Sequence, residues 1–228
     1  RDLYIEGREL KGIHFAMDYL TAQNRVNAGL IKTGAITAEG KSVLVIGGGD
    51  TGSDCVGTAI RQRAKKITQI EILPKPPLER TPENPWPFYA KTLKTSTSHE
   101  EGCERLWSLS TKKFTGNNGI VSGVITKMVD IIYECGNMII KERDDEELFI
   151  EADLVLIAMG FVKPYTEFLT SETGIALDTR KNISTNPNLM TNIKSVFACG
   201  DAVTGASLVV NAIASGRKAA EEINRFLA

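Results

Sequence analysis

The sequence predicts an α/β fold, a parallel sheet joined to an antiparallel β-meander. Three observations carry that expectation. The apolar run Val43-Leu44-Val45-Ile46 ends in Gly47-Gly48-Gly49-Asp50-Thr51-Gly52, and a helical pattern follows. Residues 111–150 hold β-rich runs broken by the turn signals Gly116-Asn117-Asn118-Gly119 and Gly136-Asn137. Apolar strand patterns then return at Leu154-Val155-Leu156-Ile157-Ala158 and at Ser195–Ala198, ahead of a helical tail.

In chain order, Phe15–Asn24 reads as a helix with Phe15, Tyr19 and Leu20 on one face. Lys41–Ile46 reads as a buried strand, Thr51 to about Arg63 as the next helix, and Lys66–Leu73 as a second strand. Pro74, Pro76, Pro77, Pro82, Pro85 and Pro87 cannot continue a helix or a central strand. Residues 74–102 therefore form a long ordered loop, either a partner-docking surface or a rigid connector. The meander of short strands follows, and then the strand in Asp153–Gly160. Ser207–Leu227 is a helix with Val210, Ile213, Ala214 and Ala220 among its inward candidates.

At 228 residues the chain holds one large domain or two small ones. A formal net charge of −1 argues against nucleic acid or an anionic membrane as partner. No apolar run approaches a membrane span, and no signal peptide is expected. Cys55, Cys103, Cys135 and Cys199 include no Cys-x-x-Cys pair. That pattern suits isolated thiols in a reducing, cytoplasmic compartment and gives no support to a metal, cluster or redox-disulfide site. The chain starts at Arg1 without Met, and it is expected to be a piece of a longer protein.

Strand, Gly-x-Gly-x-x-Gly and helix together form the dinucleotide fingerprint in its proper context, which makes the fold Rossmann-like. Gly47 permits the tight turn, Gly49 lets main chain approach a pyrophosphate, and Gly52 lets helix and strand pack closely. Gly48, Thr51 and the helix N-terminus complete a candidate phosphate site. Asp50 suits a helix N-cap or turn acceptor. Glu71, about twenty residues past the last glycine, reads either as the ribose ligand or as an exposed strand carboxylate. As a ribose ligand it would disfavour a 2′-phosphate, while Lys65, Lys66, Lys75 and Arg80 could reverse that preference, so NADH versus NADPH stays open.

A second nucleotide signature, Val196-Phe197-Ala198-Cys199-Gly200-Asp201, reads as a buried strand ending in Gly-Asp. Asp201 could accept hydrogen bonds from a ribityl or ribose hydroxyl, or could sit in an ordinary connection. With Ala158-Met159-Gly160 it points to a second cofactor. His14 and His99 are the only histidines, and His99 beside two acids reads as a loop hydrogen-bonder rather than a catalyst. Trp86 and Trp107 read as packing residues. No catalytic residue is nominated, because hydride transfer needs positioning more than acid–base chemistry.

These residues resemble the two-dinucleotide-binding flavoprotein superfamily and, more closely, the glutamate synthase small (beta) subunit. The closer likeness rests on Gly12-Ile13-His14-Phe15-Ala16-Met17-Asp18-Tyr19-Leu20, Leu73-Pro74-Lys75-Pro76-Pro77, Asn84-Pro85-Trp86-Pro87, His99-Glu100-Glu101 and Gly205-Ala206-Ser207-Leu208-Val209-Val210. The resemblance implies an NAD(P)H-binding domain inserted into a partial FAD-binding domain. Residues 1–40 would be the first FAD-domain segment, 41–150 the NAD(P)H-binding domain, and 151–228 the C-terminal FAD-domain segment. It implies hydride transfer from NAD(P)H to FAD, with electrons passing to the large (alpha) subunit for glutamate synthesis from glutamine and 2-oxoglutarate.

The cofactor residues so implied are Gly47, Gly48, Gly49, Asp50, Thr51, Gly52, Glu71, Ala158, Gly160, Gly200, Asp201, Ser207, Leu208 and Val209. Leu208 and Val209 would place main-chain N–H groups at the flavin pyrimidine edge, or they are simply an apolar helix start. The iron–sulfur domain and the first FAD half of the family pattern are missing, so FAD binding should be incomplete. Other readings are a stand-alone flavoprotein feeding another acceptor and a non-catalytic nucleotide-binding module. A thioredoxin-reductase-like enzyme would need the Cys-x-x-Cys that this chain lacks.

Overall fold

Ser42–Ile46 is buried at all five positions, as only a strand covered on both faces can be. The computed structural model describes residues 1–34, 36–135 and 137–228, with the side chains of 144–146 left out, and it places that strand inside a parallel sheet. Along the chain run β1 (Ile13–Phe15), α1 (Ala16–Asn27), β2 (Ser42–Ile46), α2 (Asp50–Arg61), β3 (Lys66–Ile70), α3 (Thr97–Glu100) and β4 (Glu104–Leu106). There follow β5 (Leu109–Asn117), β6 (Ile120–Glu134), β7 (Asn137–Glu151), β8 (Leu154–Ile157), α4 (Glu167–Thr173), α5 (Asp201–Thr204) and α6 (Val209–Leu227).

The parallel sheet has the order β1-β8-β2-β3-β4, and β5-β6-β7 form the antiparallel meander. The period-2 alternation of β2 divides its side chains between two cores. Leu44 and Ile46 join Ile70, Val155 and Ile157 on one face, against Leu109, Phe114, Val121 and Val124 of the meander. Val43 and Val45 join Ile67, Leu154 and Leu156 on the other, against Tyr19 of α1 and Cys55, Val56 and Ala59 of α2. Asn118 and Gly119, between β5 and β6, both take positive φ, the pairing that a tight hairpin matched to strand twist demands. The other expected turn begins at Gly136, which lies outside the described residues.

Several expectations are corrected. Phe15 closes β1 and only caps α1, because pairing with Ile157 holds it in the sheet; α1 buries Ala16 and Tyr19 instead. β3 stops at Ile70, since Glu71 Oε1 accepts the Leu73 N–H and closes a local turn. The meander strands are long rather than short, β6 and β7 having 15 residues each. The 74–102 loop ends in the one-turn helix α3.

Ser195–Ala198 is not a buried strand. Phe197 makes an isolated bridge to Met190, and Val196 is 38% exposed, since a strand needs a continuous ladder to bury its backbone. In α6, Val210, Ile213, Ala214 and Ala220 are exposed, and the buried positions are Ala219 and Glu222. Ala219 is covered and Phe226 meets the Phe197 ring edge-on, while Val209, Val210 and Ile213 at the start of the helix stay exposed. The chain divides into two compact units, Asp2–Gly160 and Phe161–Ala228.

Candidate nucleotide-binding site

The glycine turn is shaped where β2, β3 and β8 end. Gly47 has φ +122°, and a Cβ there would lie 2.4 Å from the Ala158 carbonyl oxygen, so no other residue fits unstrained. A Cβ on Gly52 would lie 2.3 Å from the Gly47 carbonyl oxygen, which is the close helix–strand approach the motif needs. Gly49 is different. It is the N-cap of α2, and a Cβ there would meet nothing within 4 Å. Bare main chain therefore faces open space, beside first-turn N–H groups that have no acceptor inside the helix and carry its positive dipole end. Asp50 is not the cap. It is the exposed first residue of α2, where its charge complements the dipole. Thr51 follows it in the first turn.

Glu71 lies against the turn rather than out on the strand. Its Oε2 accepts the Gly48 N–H at 2.6 Å. Beside it opens a cavity of about 290 Å³, lined by Gly48, Gly49 and Glu71 on one side and by Pro74, Lys94 and Trp107 on the other. The proline-rich loop thus supplies a wall of the cavity, tied down by Leu93 N–H to the Pro77 carbonyl at 2.7 Å. The cations that line it are Lys94 and Arg105, not the four expected. Lys66 pairs with Glu104 at 3.1 Å, and Arg80 donates to the Asn84 and Phe88 carbonyls. Lys75 and Arg105 both stand over the Trp107 ring, at 5.0 and 5.2 Å. Trp86, expected to pack, is 81% exposed.

Sequence reading missed a polar chain beneath the turn. Gln69, buried in β3, donates from Nε2 to the Gly47 carbonyl at 2.9 Å. Its Oε1 meets His99 Nε2 at 2.8 Å, and His99 Nδ1 accepts the Ser96 N–H at 3.2 Å in a capping box that starts α3. Ser96 in turn meets Ser53 of α2. Gln69 between Thr68 and Ile70, next to the strand end that faces the glycine turn, was the available signal. Cys55, on the same helix, is fully buried, and burial pushes its thiol up to about 12, so it stays protonated.

Ala158 and Gly160 follow β8. Ala158 N–H donates to the Ile46 carbonyl at 2.8 Å, and Gly160 has φ +77°. In the second unit, Gly200 has φ +64° and its N–H donates to Ser215 Oγ at 3.0 Å. Asp201 is exposed and accepts from Ser207 Oγ at 3.3 Å; Leu208 caps α6 and Val209 starts it, both exposed. Among the described residues no cluster of His, Cys, Asp and Glu suits a metal ion, and no helix is long and apolar enough to cross a membrane.

Residues 1–216 match the family profile described as pyridine nucleotide-disulphide oxidoreductase. The chain belongs to this family. Within the oxidoreductase family, it is 44% identical over 232 residues to the glutamate synthase [NADPH] small chain of Mycobacterium tuberculosis, covering 100% of this chain and 47% of that one. Identity to the glutamate synthase [NADH] of Schizosaccharomyces pombe is 40%, over 98% of this chain and 11% of that one. The chain spans about half the length of the small chains it matches. Thioredoxin reductase of T. acidophilum superposes with a TM-score of 0.62 at 22% identity, over 100% of this chain and 63% of that one. FprA of M. tuberculosis, in complex with NADPH, gives a TM-score of 0.66 at 13% identity, over 100% and 61%. At those identities the likeness is one of fold, and it matches the α/β, Rossmann-like architecture expected of this oxidoreductase.

Proposed function

We propose that this chain is the electron-input part of a glutamate synthase small subunit, passing a hydride from NAD(P)H to FAD for reductive synthesis of glutamate from glutamine and 2-oxoglutarate. The observation that carries this reading is the bare main chain at Gly49, facing open space beside Glu71 and the first turn of α2. Gly47 to Gly52 would hold the pyrophosphate, and Glu71 the adenosine ribose. Glu71 favours NADH, while Lys94 and Arg105 in the same cavity favour a 2′-phosphate.

Residues 1–40, with 151–228, would be the partial FAD-binding segments around a nicotinamide-nucleotide domain at 41–150. Ala158 and Gly160 follow the β8 strand of the first unit. In the second, Gly200 and Asp201 suit a ribityl chain, and Ser207, Leu208 and Val209 suit the flavin pyrimidine edge. Bound FAD would supply the hydride acceptor; the protein's own work is to hold, orient and exclude water. The FAD site is incomplete within these residues, and iron–sulfur clusters belong to the part of the small subunit that this chain does not span. The electron-receiving partner is the glutamate synthase large (alpha) subunit, in the cytoplasm.

The test is a titration of the purified chain with NADH and NADPH, with and without added FAD. Flavin absorbance that is retained and bleached by either nucleotide supports the electron-input role. Saturable nucleotide binding without flavin supports a second reading, a nucleotide-binding module, for which the Gly49 turn and its cavity suffice. Gly49→Glu should weaken both nucleotides by about a hundredfold or more, through bulk and charge beside the phosphates, while the fold survives in open space. Unchanged affinity would refute the site. Glu71→Ala should weaken NADH about tenfold and NADPH less, by loss of a charged hydrogen bond; the opposite order removes Glu71 from the ribose site.

A further inference from the structure

The carbonyl of Gly47 and the N–H of Gly48 belong to one planar peptide unit. Both ends of that unit are held from the end of β3. Gln69 Nε2 donates to the oxygen at 2.9 Å, and Glu71 Oε2 accepts from the nitrogen at 2.6 Å. The unit cannot rotate without breaking both bonds. Gln69 is 2% exposed, so an amide left unpaired there would be costly. Space for it exists because residue 52 is glycine; a Cβ there would lie 2.6 Å from Gln69 Nε2.

The orientation of the Gln69 amide is itself set. Its nitrogen is committed to Gly47, so its oxygen faces His99, and His99 Nε2 must be the donor across 2.8 Å. His99 Nδ1 then carries the lone pair that accepts the Ser96 N–H. Only the neutral imidazole satisfies both neighbours. Its ring is fixed in turn by close packing of α3 on α2, where a Cβ on Gly57 would come within 2.5 Å of Ser98 Oγ.

We propose that Gln69 and His99 are positioning residues for nucleotide binding: His99 orients the buried Gln69 amide, and Gln69 with Glu71 locks the Gly47–Gly48 peptide in the conformation that presents the turn to a pyrophosphate. This rests on the reading of the glycine turn as the nicotinamide-nucleotide site. The phosphate turn serves NADH and NADPH alike, so loss of Gln69 weakens both equally, whereas loss of the Glu71 carboxylate weakens both through the turn and NADH further through the ribose.

The decisive experiment uses two amides at position 99. In His99→Gln the side-chain nitrogen reaches the place of Nε2 and keeps the donor to Gln69. In His99→Asn the oxygen takes the place of Nδ1, keeping the α3 cap and losing the donor. Dissociation constants of the full chain for NADH and NADPH are measured beside melting temperatures. His99→Asn and Gln69→Leu should bind both nucleotides about tenfold more weakly, and His99→Gln within about twofold of the native chain. Should Gln69→Leu fail to fold, the pair at 99 decides. Native affinity in His99→Asn, or weaker binding by His99→Gln than by His99→Asn, overturns the relay and leaves His99 a helix cap. Those results are distinct from failure of the site itself, in which Gly49→Glu binds like the native chain or the native chain binds neither nucleotide; the relay then falls with it.

Discussion

Asp2–Gly160 and Phe161–Ala228 hold themselves together by different means. The first buries two apolar clusters, one on each face of its parallel sheet. In the second, Ile175, Ile183 and Ala219 are the only buried apolar side chains among the described residues. Local polar turns do the organising there. Asp178 Oδ1 accepts the N–H groups of Arg180 and Asn182, and Asn186 Oδ1 those of Asn188 and Met190. Meanwhile Val209, Val210 and Ile213 are 74, 60 and 53% exposed. The contrast teaches that apolar sequence pattern reports burial only where the chain itself supplies the opposing surface.

The sharpest way to break that contrast is truncation in each unit. Leu156→Ala, at a fully buried site in β8, should cost about 2–5 kcal/mol in denaturant unfolding. Ile213→Ala, at an equally apolar position of α6, should stay within about 0.5 kcal/mol. Equal losses would mean that the helix face is covered after all.

Glycine substitutions sharpen the same point through the backbone. Gly47→Ala combines a positive φ with a Cβ driven into the Ala158 carbonyl, and should cost roughly 2–4 kcal/mol. Gly174→Ala, with φ +71° at the end of α4 and nothing within 4 Å, should cost about 1 kcal/mol. Similar costs at both would show that Gly47 is not clamped.

The smallest expected effect is on pH. Both histidines lie in the first unit. Burial holds His99 below the ordinary value of 6.5, with Arg105 acting in the same direction. Burial does the same for His14, where Lys41 and Arg8 add to it and Asp18 opposes. The unfolded chain then binds protons that the folded chain refuses. Stability is complete above 6.5 and falls as the pH drops from there toward the depressed values. Melting curves between pH 8 and 5 should show the decline, and His99→Asn should make it shallower. A flat profile would mean that neither imidazole is buried.

Much of the first unit was legible because its signals are local. Four apolar residues before a glycine turn, or Asn118-Gly119 between β runs, constrain neighbours within a few positions. The tail misled for the same reason. The spacing of Val210 and Ile213 is truly amphipathic, yet periodicity names a face without naming what covers it. At the site, the glycines were readable one by one. Glu71 was readable only as a choice, His99 only as a loop hydrogen-bonder without its partner, and Gln69 not at all.

By itself the sequence determined the α/β class, the strand–glycine–helix turn and the likeness to glutamate synthase small chains, because each is carried by adjacent residues and their period. Tertiary structure alone decided that Gln69 and Glu71 meet at one peptide bond and that His99 backs Gln69. Those contacts join residues 22, 23 and 30 positions apart through hydrogen bonds that depend on direction and distance, and no spacing rule along a chain encodes either.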